Sequence, residues 1–213
     1  VDIFIMPVPS AFFKAAPKSI TSADLKNKLI FSAIKGIVPE NNLIIGEFFN
    51  QEYDVPLNAI GVITGPCHAK EIAMEKLSYL TVASKNIENA QFIASKLNCR
   101  YIKTTVSDDI HGTEYSAVLK NIFAIASGIC HGLGYGDNFQ AVLISNGIQE
   151  IERFVNAVHP ISRDINSSAY LVDLLVGHCY VAYKFVVCFS LHRGRKLKKK
   201  ENLSIRIPKL SMK

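Results

Sequence analysis

"NAIGVITGPCHAKE", residues 58–71, is the stretch whose reading decides the fold. Its first half is a short apolar run, Ala59 to Ile63, that reads as a strand buried on both faces. The run stops at Gly65-Pro66, and the spacing predicts a helix from about Cys67 to Lys76. Pro66 suits its first turn, where a missing N–H costs nothing. A buried strand, a glycine turn and a helix make one unit of a parallel α/β sheet. Ligands of such sheets bind beyond the carboxyl ends of the strands.

The same unit recurs on both sides. "DIFIMPVP" is β-like and closes on two prolines, "SAFFKAA" and "SADLKNKL" are short helical segments, and Ser22 is the expected N-cap of the second. "LIFSAIKG" is a second buried strand, followed by a helix around "NLIIGEFFNQEY". Beyond the opening stretch come a strand in "LSYLTVAS", a helix in "ENAQFIASKL" and a strand in "YIKTTV". From about Ser107 strand signals stop, and helical periodicity with glycine or proline breaks runs to about Val176. The expected fold is α/β then all-α: a partial Rossmann-like parallel sheet over 1–106, a helical substrate domain over 107–176, and a divergent basic tail over 177–213.

The tail accounts for the charge. Of the formal +6, Arg193 to Lys213 holds nine Lys/Arg against one Glu, a surplus of 8, which leaves the first 192 residues at −2. The folded part therefore offers no basic footprint for nucleic acid. Leu174 to Leu191 is mostly apolar and is followed by Arg and Lys, the outline of a membrane segment, but His178 and Lys184 inside it count against spanning. Five scattered cysteines without a C-x-x-C point to reduced thiols in a cytoplasmic setting, and the six histidines have no metal-binding spacing. The chain starts on Val1 inside an apolar run with no secretory leader, the pattern expected of the middle of a longer protein.

Three strand ends carry candidate chemistry on one expected edge: Pro9-Ser10, Lys35-Gly36, and Gly65-Pro66-Cys67-His68. Gly65 lets a ligand approach the backbone. Further on, "EYSAVLKNIFAIASGICHGLGYGDN" (114–138) is a helix with one lysine. Leu119, Ile122, Phe123, Ala126 and Ile129 form its apolar stripe, and Lys120 lies beside it in line with Ala124 and Ser127. That face is small enough for close approach by a ligand. In "AYLVDLLV" Asp173 is the only charge, and a buried carboxylate requires a partner, for which Lys120 is a candidate. "HGLGYGDN" is G-x-G-x-G after a helix, so it reads as a helix C-cap and tight turn rather than a dinucleotide loop.

These pieces, in this order, resemble the NAD(P)-dependent glycerol-3-phosphate dehydrogenases. The resemblance rests on "VPS", "IKG", "TGPCHAKE", "VLKNIFAIASGICHGLGYGDN" and "LVDLLV", covers about residues 1–176, and is most specific over Leu119–Asn138. It implies hydride exchange between NAD or NADP and a small phosphate ester, interconverting sn-glycerol 3-phosphate and dihydroxyacetone phosphate and feeding glycerophospholipid synthesis. It further implies Lys120 as the proton acceptor, with Lys35, Gly65, Cys67, Asn121 and Asp173 also at the substrate, Lys35 and Ala69 at the cofactor, no metal, and a homodimer as a candidate assembly. The sequence departs from the family in three places. A first Rossmann half with G-x-G-x-x-G would precede Val1, Cys67-His68 replaces a Ser/Thr-Phe pair, and "GHCYVAYKFVV" stands where the family has T-C-x-S-x-x-S-R-N. From these the chain alone is expected to turn over little. The competing readings are a related hydroxy-acid or keto-acid dehydrogenase, a non-catalytic product held at a membrane through residues 174–200, and nucleic-acid binding by the tail.

Overall fold

The computed structural model describes residues 2–15, 20–39 and 41–177. Five strands, β1 (Ile3–Met6), β2 (Leu29–Ser32), β3 (Ile60–Thr64), β4 (Ser78–Ser84) and β5 (Ile102–Ser107), form one sheet in chain order. β1, β2 and β3 are parallel, as are β4 and β5, but β4 runs antiparallel to β3. Three of the four pairings are parallel, in keeping with the expected Rossmann-like parallel sheet, and the departure is the single antiparallel pairing of β4. The reason lies in the connection. The helix expected over Cys67–Lys76 shrinks to α3 (Ala69–Ala73), five residues with His68 as N-cap, so Pro66 falls before its first turn. Five helical residues span roughly 8 Å, about half the length of a five-residue strand. With so little helix to carry it back along the sheet, the chain turns at Gly65 and β4 pairs directly with β3 in the opposite direction.

Two further helices flank the sheet. α2 (Ile45–Tyr53) covers one face, its Phe49 packing in one core with Met6, Phe13, Ile30 and Ile60. α4 (Ile87–Leu97) covers the other, its Ile93 packing in a second core with Phe31, Ile63 and Val82. Neighbours Ile30 and Phe31 point into opposite cores, the two-residue alternation of a strand buried on both sides. In the short helix α1 (Ser22–Leu25) the N-cap is Thr21 rather than Ser22. Asp24 accepts from both the Thr21 amide (2.8 Å) and its hydroxyl (2.6 Å).

Beyond β5 the described residues are helical, as expected from Ser107 on. α5 (Ile110–Gly132) and α6 (Asp137–Val158) form an antiparallel pair. Their link is the glycine turn: Gly134 sits at φ 92°, where a side chain would be strained, while the Gly134 and Tyr135 amides close on the carbonyls of His131 and Cys130. Ile151, Val155 and Leu174 form a separate helical core against Leu119 and Phe123. The expected α5 stripe splits. Leu119 and Phe123 pack inward, Ile122 and Ile129 are exposed, and the small face of Ala117, Lys120, Ala124 and Ser127 is the buried one. A π-helical turn, Ser168–Val172, leads into a helix over 173–177. No helix among the described residues is long and apolar enough to cross a membrane. The apolar run toward Leu191 and the basic tail from residue 178 lie outside the described residues.

Candidate active site

The parallel run of β1, β2 and β3 puts their carboxyl ends on one edge, as expected. A Cβ on Gly36 would fall 2.4 Å from Ser10 Oγ, so the first two strand exits touch. Lys35 Nζ donates to the Gly65 carbonyl at 2.8 Å, which joins the second exit to the third. Gly65 itself sits at φ 122°, and a Cβ there would lie 2.7 Å from the Tyr79 carbonyl. The backbone can turn its carbonyl toward Lys35 because that residue has no side chain.

The helical half meets this edge through two side chains. Lys120, midway along α5, extends from the small buried face. Its Nζ lies 2.5 Å from Asp173 Oδ2. The same carboxylate lies 3.3 Å and 3.4 Å from Lys35 Nζ. The side chain of Lys35 is 32% exposed, that of Lys120 8% and that of Asp173 2%. Asp173 therefore has the cationic partner its burial demanded, and a second one besides. Asn121 Nδ2 stands 3.5 Å from the Lys35 carbonyl and 3.3 Å from that of Ala117.

These groups line a cavity of about 240 Å³ with Cys67, His68, Val176 and Gly177. Of the residues singled out in the sequence, Lys35, Cys67, Lys120, Asn121 and Asp173 face it directly, and Gly65 holds Lys35 from behind. Ala69 is exposed at the start of α3, two residues past Cys67, and does not line this cavity.

The electrostatics favour proton exchange at Lys120. Burial pushes its ammonium down to about 8, with Lys35 acting in the same direction, while Asp173 opposes the shift. A lysine with that value holds appreciable amounts of both protonation states near neutrality. Burial raises the Cys67 thiol, so it faces the cavity as a neutral group. Among the described residues no cluster of His, Cys, Asp or Glu could hold a metal ion.

Sequence reasoning missed two acidic groups on α5. Asp109, its N-cap, is 2% exposed and bonds Arg163 and Tyr170. Glu114 is fully buried, its Oε2 accepting from the Gly46 amide at 3.2 Å. Both sit in "SDDIHGTEYS", a polar segment that gave no apolar background against which a charge would stand out.

Known proteins with this sequence pattern and shape are consistent. The family model described as NAD-dependent glycerol-3-phosphate dehydrogenase N-terminus matches residues 1–90, and that of its C-terminus matches 109–206, past the residue 176 where the motifs end. A glycerol-3-phosphate dehydrogenase [NAD(P)+] of Streptococcus suis is 34% identical over 155 residues, 72% of this chain and 46% of its own. The enzyme of the same name from Listeria innocua is 30% identical over 99% of this chain and 61% of its own. The crystal structure of glycerol-3-phosphate dehydrogenase from Coxiella burnetii superposes with a TM-score of 0.80 at 26% identity, covering 91% of this chain and 59% of that one. The chain thus spans about half to three-fifths of the length of these relatives. With both halves of one family matched in order along it, the chain belongs to the NAD-dependent glycerol-3-phosphate dehydrogenases.

Proposed function

We propose that the cleft between the sheet edge and α5 binds a three-carbon phosphate ester and exchanges its C2 hydroxyl proton through Lys120. This is the chemistry that interconverts sn-glycerol 3-phosphate and dihydroxyacetone phosphate. The observation that carries it is the Lys120–Asp173–Lys35 cluster, with contacts of 2.5 and 3.3 Å, in a cavity of substrate size. Two ammonium groups against one carboxylate leave a surplus positive charge, which suits an anionic substrate.

In the oxidising direction the neutral Lys120 amine takes the C2 hydroxyl proton as the C2–H bond releases hydride and C2=O forms. In the reducing direction the ammonium returns the proton. Asp173 holds the Nζ in place and stabilises the ammonium once formed. Asn121 and the Cys67 thiol orient the substrate, with the thiol a weaker hydrogen-bonding group than a hydroxyl. Lys35 would hold both the substrate and the nicotinamide end of a bound cofactor, and Ala69, outside the cavity at the start of α3, would contribute to the cofactor alone. A bound NAD or NADP supplies the hydride acceptor or donor. The residues here fit that end of the cofactor: the partly exposed Lys35 ammonium lines the cavity and is held there by the Gly65 carbonyl. No G-x-G-x-x-G occurs in the 213 residues, so the fit concerns the nicotinamide end alone. The names of the similar enzymes support this reading, as do the reduced-type cysteines for a cytoplasmic setting.

The test is calorimetric binding of sn-glycerol 3-phosphate, glycerol and lactate to the 213-residue chain, with oxidation of NADH by dihydroxyacetone phosphate alongside. The phosphate ester should bind in preference to both others. Lys35→Met and Lys120→Met should each weaken it roughly 10- to 100-fold, the worth of a charge-assisted hydrogen bond. Preference for lactate would move the chain to a hydroxy-acid dehydrogenase reading.

A further inference from the structure

Both members of the Lys120–Asp173 contact are carried by elements that meet again about three helical turns away, at Asp109. This carboxylate caps α5, accepting the Gly112 amide at 2.9 Å, while the Thr113 hydroxyl donates to the Asp109 carbonyl at 2.5 Å. Its second oxygen accepts from Arg163 Nε at 2.7 Å and from the Tyr170 hydroxyl at 2.6 Å. Arg163 continues to the His159 carbonyl at 2.7 Å, just past the end of α6, and His159 Nδ1 stands 3.8 Å from Asp109 Oδ1. The start of α5, the end of α6 and the π-helical turn thus share one buried carboxylate.

Tyr170 is the centre of that turn, and Asp173 follows it by three residues. A π-turn shifts the rotation of everything after it relative to an α-helix. Where Asp173 points therefore depends on the turn's register, and the Tyr170 hydroxyl bond fixes that register to the same residue that caps the helix of Lys120. Burial alone would raise the Asp109 carboxyl, yet Arg163, Tyr170 and the Gly112 amide hold it below the ordinary carboxylate value, so it stays ionised at neutral pH.

We propose that Asp109, acting through Tyr170, is a positioning residue: it sets the distance between Lys120 and Asp173 by anchoring both of their elements to one carboxylate. The proposal rests on reading Lys120 and Asp173 as the working pair, and the test separates the two.

The full 213-residue chain is labelled with a limiting amount of acetic anhydride across pH 6–11, and modification of Lys120 is followed by peptide mass spectrometry. The groups facing Lys120 are Asp173 and Lys35, so its midpoint reports the Asp173 contact. Asp173→Asn should move the midpoint to lower pH and raise the free amine at fixed pH by roughly tenfold or more. Tyr170→Phe, which keeps the ring and removes only the hydroxyl, should move it in the same direction by less, roughly two- to fivefold in free amine. Asp109→Asn should do the same if it folds, and Tyr170→Phe stands alone if it does not. A Tyr170→Phe chain that melts earlier yet keeps its Lys120 midpoint, or raises it, while Asp173→Asn lowers it, overturns the positioning role and leaves the pair intact. No response to Asp173→Asn overturns the pair itself, and the positioning role with it.

Discussion

Lys120 and Asp173 were legible for one reason: each is a lone charge in an apolar run, and burying a charge requires a partner. Glu114 was not legible, although it is more deeply buried than Lys120. Its neighbours in sequence are polar, and only the packing of α5 against the first turn of α2 removes its carboxyl from water. One oxygen accepts from Gly46, and the other has no hydrogen-bond partner in its buried position. Burial raises the acid to about 8, against the partly compensating Gly46 bond, so the folded chain holds it protonated at neutral pH. The linkage sign follows. A folded value above the unfolded one gives stability that is complete below about 4.5 and is lost as pH rises through about 8. Glu114→Gln keeps an acceptor for Gly46 and cannot ionise. The wild-type midpoint in urea should therefore fall relative to the variant between pH 5 and pH 9. The fall should be worth a few kcal/mol, since a tenfold change in proton affinity corresponds to about 1.4 kcal/mol. Parallel profiles for the two proteins would mean that Glu114 is already ionised in the fold.

At the scale of elements, the strands and long helices were legible because each has a strong period. The short α3 and the reversal of β4 were not. "TGPCHAKEIAMEKL" has helix-forming composition over more residues than the helix uses, and composition does not encode the direction in which the chain re-enters the sheet. The α5 stripe shows a related limit. Hydrophobic periodicity located the helix but not its buried face, because the site wants small residues around Lys120 and leaves Ile122 and Ile129 outside. Gly65 joins these observations. It ends β3, begins the short return to β4, and turns its carbonyl to Lys35. Gly65→Ala adds a Cβ at φ 122° and 2.7 Å from the Tyr79 carbonyl, which sits on β4. Its cost should be roughly 1–3 kcal/mol in urea melts. Phosphate-ester binding should fall as well, because relieving the strain turns the residue 65 carbonyl away from Lys35. Unchanged binding in a destabilised Gly65→Ala chain would detach that carbonyl from the site and leave it a turn residue only.

Across the whole molecule, the sheet cores and the helical core are built from different residues, and the candidate site lies where they meet. The last described helix connects them at adjacent positions. Asp173 closes on Lys35 at the sheet edge, and Leu174, 1% exposed, fills the helical core beside Ile151 and Val155. Packing in the second core is thereby coupled to charge placement in the first half, a coupling that sequence patterns cannot display because it depends on which side of one turn each residue occupies. Leu174→Ala should cost about 2–5 kcal/mol, as for other buried leucines. Phe49→Ala, fully buried on the sheet-facing side of α2, should cost a similar roughly 3–5 kcal/mol. The two losses should differ in kind. With urea below the unfolding transition, acylation of Lys120 should speed up in Leu174→Ala before the far-ultraviolet circular dichroism changes, since the turn holding Asp173 has lost its anchor. In Phe49→Ala labelling and unfolding should rise together, because that side chain supports the sheet without touching the turn. Coincident curves in both variants would make the two cores a single cooperative unit, with the Leu174 turn no looser than the rest.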